Sequence, residues 1–234
     1  MRKSAIIILL TGAAMAAATG CSSDNKQASN QTLTAHEADK LSAQRATFSH
    51  VQDPPLTADT HFATAQLAES QGADDAAEAQ YQEALKIDPK HLPSLFRLGM
   101  MYTHEKKYPE AEALWTRYLR ATDHSASGYN NLAFCYDQAG DYKKAEETYQ
   151  DGLQKDPKNV QLRVNYGVML ARLDQPDAAI EAWKPVLSEA EIHYNLASVY
   201  ESKGRKTDAR YEYQKALASD PKMNDAKLRL AKLD

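Results

Sequence analysis

The 234-residue sequence has only two cysteines, and it contains no CxxC pair, no GxSxG motif and no glycine-rich phosphate-binding loop. These absences exclude cysteine-based metal sites and remove the usual signatures of hydrolases and nucleotide-binding enzymes. Its seven histidines are scattered, and HEADK at 36 and HEKKY at 104 both lack the second histidine of a zinc protease helix. We therefore expect no catalytic residue, no metal and no cofactor.

The sequence also lacks a basic surplus, since its formal net charge is −4 at pH 7. Loss of Arg2 and Lys3 with the first twenty residues would take that charge to −6. Acidic chains bind poorly to nucleic acids and to anionic lipid surfaces, because like charges repel. We expect neither as a partner.

A hydrophobic run long enough to span a bilayer is the third absence. The apolar run from Ala5 to Ala18 is shorter than the ~20 residues that a membrane-spanning helix needs, so a permanent transmembrane anchor is the weaker interpretation. It follows Arg2 and Lys3, and a small-residue site precedes Cys21, which is the layout of an export signal.

The four residues from Ala18 to Cys21, ATGC, resemble the lipobox of bacterial lipoproteins. This resemblance implies that residues 1–20 are a signal peptide, that Cys21 is acylated and that the mature chain is anchored to a membrane by lipid. Ser22 after the cysteine favours an outer membrane location facing the periplasm. Residues 21–57 are then the lipidated cysteine and a polar, flexible tether, because large apolar residues are sparse there.

An internal repeat dominates the sequence beyond Ala58. Its clearest mark is a series of alanines, Ala77, Ala111, Ala145, Ala179 and Ala209, whose positions differ by 34, 34, 34 and 30. Four positions after each alanine stands a large aromatic residue: Tyr81, Trp115, Tyr149, Trp183 and Tyr213. Twelve positions before each stands a small residue: Ala65, Gly99, Ala133, Gly167 and Ala197.

These positions resemble those of the tetratricopeptide repeat family, most clearly in the third repeat, with Tyr129, Leu132, Ala133, Tyr136, Gly140, Ala145, Tyr149 and Pro157. The resemblance implies an all-α fold, a right-handed superhelical solenoid of helix-turn-helix repeats. The repeats would span 58–91, 92–125, 126–159, 160–189 and 190–223, followed by a capping helix at 224–234. The fourth repeat is four residues short and has Pro185 inside its second helix, which predicts a local distortion there.

In such a solenoid the first helices of the repeats line the concave side. Asparagine recurs at one position of these helices, at Asn131, Asn165 and Asn195, and Arg97 is the equivalent residue of the second repeat. An amide has both a donor and an acceptor, which suits an extended peptide backbone. The resemblance likewise implies that asparagines at this position hold a peptide by its main chain; the alternative is that they only satisfy neighbouring helices.

Apolar residues lie beside this asparagine position and favour an interaction surface. They are Phe96, Met100, Phe134, Val164 and Val168. Partial burial between repeats is the alternative for at least two of them. Arg97 and Arg172 flank the same stripe and would favour a ligand that carries a carboxylate.

The sequence therefore predicts a membrane-tethered adapter that binds a segment of another cell-envelope protein and helps a complex to assemble. A pilotin-like factor for type IV pilus secretins is the nearest specific analogy, based on layout alone. A regulatory subunit of an envelope enzyme is the rival from another class, although the repeats leave little chain for catalysis. Self-association through exposed end repeats is a third alternative.

Overall fold

The computed structural model describes residues 56–233; the predicted signal peptide, Cys21 and the segment up to Pro55 lie outside the described residues. Within the described range every regular element is an α-helix. The helices are α1 (Ala58–Ser70), α2 (Asp74–Ile87), α3 (Leu92–His104), α4 (Tyr108–Ala121), α5 (Ala126–Ala139), α6 (Tyr142–Lys155), α7 (Val160–Arg172), α8 (Pro176–Trp183), α9 (Glu189–Ser202), α10 (Lys206–Ser219) and α11 (Asn224–Leu233).

Helices that are consecutive in the sequence pack against each other, which makes five helical hairpins from α1 to α10. The second helix of each hairpin also contacts the first helix of the next, and α11 packs on α10. Repetition of one hairpin in this way is a solenoid, in which each unit covers the apolar face of its neighbour. The all-α solenoid predicted from the sequence repeat is thus confirmed.

Local sequence signals fix where the first helices begin. Thr57 and Ser188 form capping boxes at the starts of α1 and α9, and Ser125 and Asn159 cap α5 and α7 by accepting a hydrogen bond from a backbone N–H. These side chains satisfy N–H groups that have no partner inside the helix.

The turn after each first helix passes through one residue with a positive φ angle. Glycine serves in three repeats, with φ of 72° at Gly72, 81° at Gly140 and 72° at Gly204. Lys106 and Asp174 take the equivalent position in the other two repeats, with φ of 62° and 58°. A β-carbon makes this left-handed conformation costly for Lys106, whereas aspartate adopts it more readily.

In each hairpin the two helices cross where the aromatic residue of the second helix packs against the small residue of the first. All five aromatics are buried to 1% exposure or less, and so are the alanines opposite the tyrosines. The short side chain lets the two helix axes approach, and the aromatic ring fills the space toward the next hairpin.

The fourth repeat departs from this regularity where its sequence is short. Its second helix, α8, ends at Trp183, two residues before Pro185, whereas the other second helices have 14 residues. Val186 and Leu187 then donate backbone hydrogen bonds of 2.9 Å to the Trp183 carbonyl and close a turn that leads into α9. Pro185 itself has no N–H to continue the helix.

The buried apolar residues form two clusters that meet at α5. One runs from Ala65 to Cys135 and includes Leu132, and the other runs from Ala133 to Ala226. Tyr129 and Tyr136, both on α5, are partly buried and pack against both clusters. Within the described residues the core is thus continuous only through this helix.

Candidate peptide-binding surface

The asparagines of α5 and α7 bond to each other between repeats. Asn165 donates its Nδ2 to Oδ1 of Asn130 over 2.8 Å, and Asn130 donates its own Nδ2 to Oδ1 of Asn131 over 3.3 Å. Asn130 is buried, while Asn131 and Asn165 are partly exposed. The structural alternative to peptide binding therefore describes part of what these amides do.

These two hydrogen bonds still leave two polar side-chain atoms for a ligand. Among the contacts of the described residues, the bonds use the Nδ2 of Asn165 and the Oδ1 of Asn131. The Nδ2 of Asn131 and the Oδ1 of Asn165 are a donor and an acceptor on neighbouring helices, which is the pair that a peptide backbone would need.

Asn195 does not share this arrangement, although the sequence places it at the same repeat position. It is 1% exposed, and its Nδ2 has no hydrogen-bond partner among the described residues. Asn195 is therefore removed from the set that lines an open surface.

The guanidinium of Arg97 is already paired with a carboxylate of the protein itself. Its Nη2 lies 2.5 Å and its Nε 3.1 Å from the Oε2 of Glu69 in the preceding repeat. The Tyr81 hydroxyl donates to the same oxygen over 2.5 Å, and burial together with Glu69 raises the pKa of Tyr81 to about 12. Attraction of Arg97 to a ligand carboxylate is correspondingly reduced.

Arg172 is engaged in a similar way at the next junction. Its Nη1 lies 3.0 Å from Oδ2 of Asp137, whose side chain is buried. Burial raises the pKa of the Asp137 carboxyl, and Arg172 opposes that rise. Each arginine is thus already paired with a carboxylate of a neighbouring repeat, which reduces the attraction predicted between Arg97 or Arg172 and an acidic ligand.

The five apolar residues predicted beside the asparagines are all partly buried. Phe96 and Met100 pack against the first core cluster, and Val164 and Val168 pack against the second. The alternative of partial burial between repeats therefore applies to four of them, and each still presents part of its surface to solvent.

An open pocket of about 330 Å³ lies where the first two repeats meet. It brings together two predicted residues, Phe96 and Arg97, with four others; its lining residues are Phe62, Leu92, Pro93, Phe96, Arg97 and Tyr118. Five of these six side chains are apolar or aromatic, so the pocket suits an apolar side chain, with a polar group at one side.

Ring contacts hold the aromatic wall of this pocket. The Phe96 ring lies 5.6 Å from Trp115 and 5.9 Å from Tyr118 between centroids, and the Trp115 and Tyr118 rings are 5.8 Å apart at 86°. Phe62 contacts Tyr81 at 5.6 Å. Edge-to-face and tilted pairs of this kind are favourable and fix the ring positions before a ligand arrives.

Sequence reasoning missed Leu92, Pro93 and Tyr118 as lining residues. Tyr118 carried a usable signal, because repeats one, three and five have the small residues Ala84, Gly152 and Ala216 at the equivalent position. A large side chain there exceeds what hairpin packing requires, which indicates a role at the surface.

Other kinds of site find no support among the described residues. No group of three or more histidine, cysteine, aspartate or glutamate residues there is arranged to hold a metal ion. In the same range no helix is both long and apolar enough to cross a membrane. Cys135 is buried, and burial raises the pKa of its thiol, so it is a packing residue.

Comparison with known proteins agrees with the repeat geometry. Four models described as "Tetratricopeptide repeat" match residues 41–91, 92–158, 138–191 and 190–223. Human protein O-mannosyl-transferase TMTC1 is 32% identical over 162 residues, which cover 66% of this chain and 18% of that protein. The chain spans 9% to 20% of the length of the curated relatives that it matches.

Solved structures show the same fold. The protein TTC0263 of Thermus thermophilus matches with a TM-score of 0.53 and 24% identity, covering 75% of this chain and 98% of that one. YrrB, described as a TPR protein with an unusual peptide-binding site, matches with a TM-score of 0.50 and 22% identity, covering 81% and 97% of the two chains. The repeat period, the hairpin packing and these matches together establish that the chain belongs to the tetratricopeptide repeat family.

Proposed function

We propose that this protein is a non-enzymatic adapter that binds a peptide segment of another protein across the first helices of its repeats. The tetratricopeptide fold supports a protein-binding or scaffold role in general. The pocket between the first two repeats carries the specific proposal, because it is apolar, open and built from rings that are already held in place. YrrB, a neighbour in fold, is described as having a peptide-binding site.

The ligand that fits this pocket is an extended segment with an aromatic or aliphatic anchor residue. The anchor would contact Phe96, Leu92 and Tyr118, and the backbone would continue toward the free amide atoms of Asn131 and Asn165. Since Arg97 and Arg172 are already paired with carboxylates, apolar burial provides most of the affinity. Binding should therefore depend only weakly on salt.

Leu92 and Val160 offer a matched test of this pocket. Both open the first helix of their repeats, at equivalent positions, and they are 37% and 44% exposed. Only Leu92 lines the pocket. Overlapping peptides from envelope proteins of the source organism are screened with the full chain, and the peptides that bind are titrated calorimetrically against Leu92→Ala and Val160→Ala.

We expect Leu92→Ala to weaken binding by roughly tenfold, equivalent to ~1.4 kcal/mol, because it removes part of a buried anchor contact. Val160→Ala should bind as the wild type does. Equal affinities for all three chains would show that peptides bind elsewhere, and the pocket would lose its proposed role.

The finer proposal is that the adapter acts at a membrane of the cell envelope. Its support is the sequence alone, namely the apolar run from Ala5 to Ala18 and the ATGC motif that ends at Cys21. Acylation of Cys21 would anchor the repeats to the membrane, in an outer membrane facing the periplasm if the organism has one. Stable anchoring by lipid takes two chains, or one chain with a second membrane-binding signal.

Metabolic labelling with a fatty acid tests the anchor separately from the pocket. Label should enter the wild-type chain and be lost in Cys21→Ala, while Cys135→Ala, which keeps Cys21, should retain it. Label retained in Cys21→Ala would remove the lipoprotein proposal and leave the peptide-binding proposal intact.

A further inference from the structure

The first helix of the solenoid has a face that no described residue covers. In α1 the residues Thr60, Thr64 and Leu67 share one side, which we call the head face, and all three are exposed. Leu67 is 58% exposed, whereas its equivalents Met169 and Val199 in later repeats are 1% and 4% exposed. In those repeats both helices of the preceding hairpin pack against the first helix.

The last helix also has a side that no residue of the described range covers. In α11 the residues Lys227, Leu228 and Ala231, which we call the tail face, are exposed, and Leu228 is 63% exposed. The equivalent of Ala231 in the fifth repeat is Ala197, which is fully buried because α10 crosses it. Within residues 56–233, both ends of the solenoid therefore expose positions that the interior repeats bury.

The two ends carry opposite charge. The first repeat, residues 58–91, has seven acidic residues and two lysines, although the whole chain has a net charge of only −4. The segment 222–234 has four basic residues, Lys222, Lys227, Arg229 and Lys232, and two acidic residues, Asp225 and Asp234. Opposite ends attract each other, while two heads placed together would repel.

We propose that copies of this chain associate head to tail, with the tail face of one copy seated on the head face of the next. Leu228 of one copy and Leu67 of the other become buried, and the basic tail approaches the acidic first repeat. The contact joins two different surfaces, so it is heterologous and can continue as an open row of copies. The pocket residues Leu92, Phe96 and Tyr118 belong to neither face, so each copy keeps its pocket.

Two variants, each blocked at one end, test this arrangement in the full chain by sedimentation equilibrium. Leu67→Glu places a charge in the head face, and Leu228→Glu places one in the tail face. Val160→Glu, at an exposed position of the fourth repeat, is the matched control. Because the side chains of Leu67, Leu228 and Val160 are already exposed, circular dichroism should show that every variant folds.

The wild type and Val160→Glu should form species larger than a dimer as concentration rises, and each blocked variant should remain monomeric. An equimolar mixture of Leu67→Glu and Leu228→Glu has one intact head and one intact tail, so it should stop at twice the monomer mass. Association of the wild type should weaken as salt rises, because the Debye length shortens from ~10 Å at 0.1 M to ~3 Å at 1 M.

Three results would overturn the proposal. These are a wild type that stays monomeric at all concentrations, blocked variants that still self-associate, and a mixture that behaves as its separate components do. If Leu67→Glu lost association while Leu228→Glu associated as the wild type does, the contact would be head to head instead.

Discussion

Trp183 occupies the space in which a β-carbon on Gly167 would lie, since such an atom would stand 2.2 Å from the indole Nε1. Gly99 has the same relationship to Trp115, with 2.8 Å to Cε2. In the three repeats with a tyrosine at this crossing, an alanine faces it: Ala65 and Tyr81, Ala133 and Tyr149, Ala197 and Tyr213. The two positions are therefore coupled, because tryptophan requires glycine and tyrosine accommodates alanine.

This coupling predicts that Gly167→Ala lowers the free energy of unfolding by roughly 1 to 3 kcal/mol, because the added carbon overpacks the crossing. The double variant Gly167→Ala, Trp183→Tyr recreates the alanine and tyrosine pair and should recover much of that loss. Urea denaturation of the two single variants and the double variant measures the coupling. Effects that add to within about 0.5 kcal/mol would contradict it.

The unpaired buried atoms of Asp137 and Tyr149 predict that Asp137→Glu stabilises the fold. In the first and fifth repeats Glu69 and Glu201 accept hydrogen bonds from Tyr81 and Tyr213, at 2.5 and 2.7 Å. Asp137 is one methylene shorter, and both its Oδ1 and the Tyr149 hydroxyl are buried without a partner among the described residues. Asp137→Glu should reach that hydroxyl and stabilise the fold by about 1 kcal/mol.

Thermal unfolding of Asp137→Glu beside Asp151→Glu, an exposed aspartate on α6, tests this expectation. The control should unfold at the wild-type temperature. If Asp137→Glu unfolds at or below that temperature, the hydroxyl is satisfied in another way, for example by a bound water.

The turn at Lys106 predicts a second stabilising change. With φ of 62° this lysine has the conformation that Gly72, Gly140 and Gly204 have in other repeats. Lys106→Gly should relieve ~1 kcal/mol of strain, a gain partly offset by the greater freedom of glycine in the unfolded chain. Chemical denaturation should show a net gain for Lys106→Gly and a loss of about 1 kcal/mol for Gly140→Ala. A loss in both variants would mean that the lysine side chain stabilises the turn.

The hydrogen bond between Asn165 and Asn130 predicts that Asn165→Ala affects folding as well as binding. The substitution leaves the buried Oδ1 of Asn130 without its 2.8 Å donor, which costs about 1 to 3 kcal/mol. Better helix propensity of alanine returns about 0.6 kcal/mol. Asn131→Ala removes only a 3.3 Å contact and should change stability less. Equal melting temperatures for both variants would show that the inter-repeat amide bond is weak.

The repeated features were predictable because they follow from steric fit at one period. Small residues and aromatics recur once in each repeat, since each hairpin meets the same packing requirement, and turn glycines recur in three of the five repeats. The shortened fourth repeat was also visible, and the end of α8 at Trp183 agrees with the position of Pro185. The left-handed conformation of Lys106 was not evident from its residue type, because lysine rarely adopts that conformation; only its place in the repeat, 34 residues from Gly72 and Gly140, indicates it.

The contacts between repeats were not predictable, because side-chain reach does not follow the period. Arg97 contacts Glu69 across a sequence separation of 28, whereas Arg172 contacts Asp137 across a separation of 35. The position of Arg97 is taken by Asn165 in the fourth repeat, so a different residue must reach the carboxylate there. The pairing of both arginines was missed for this reason, and the pocket was missed because its walls come from three helices.

The meeting of the two core clusters at α5 has a consequence for how the molecule opens. In a linear array, stability is the sum of contributions from neighbouring units, and the array opens where those contributions are smallest. Leu132 and Cys135 belong to one cluster and Ala133 to the other, so α5 is the element that must loosen before either half exchanges its amide protons independently. Hydrogen exchange should therefore resolve two protected blocks, with rates that change across α5.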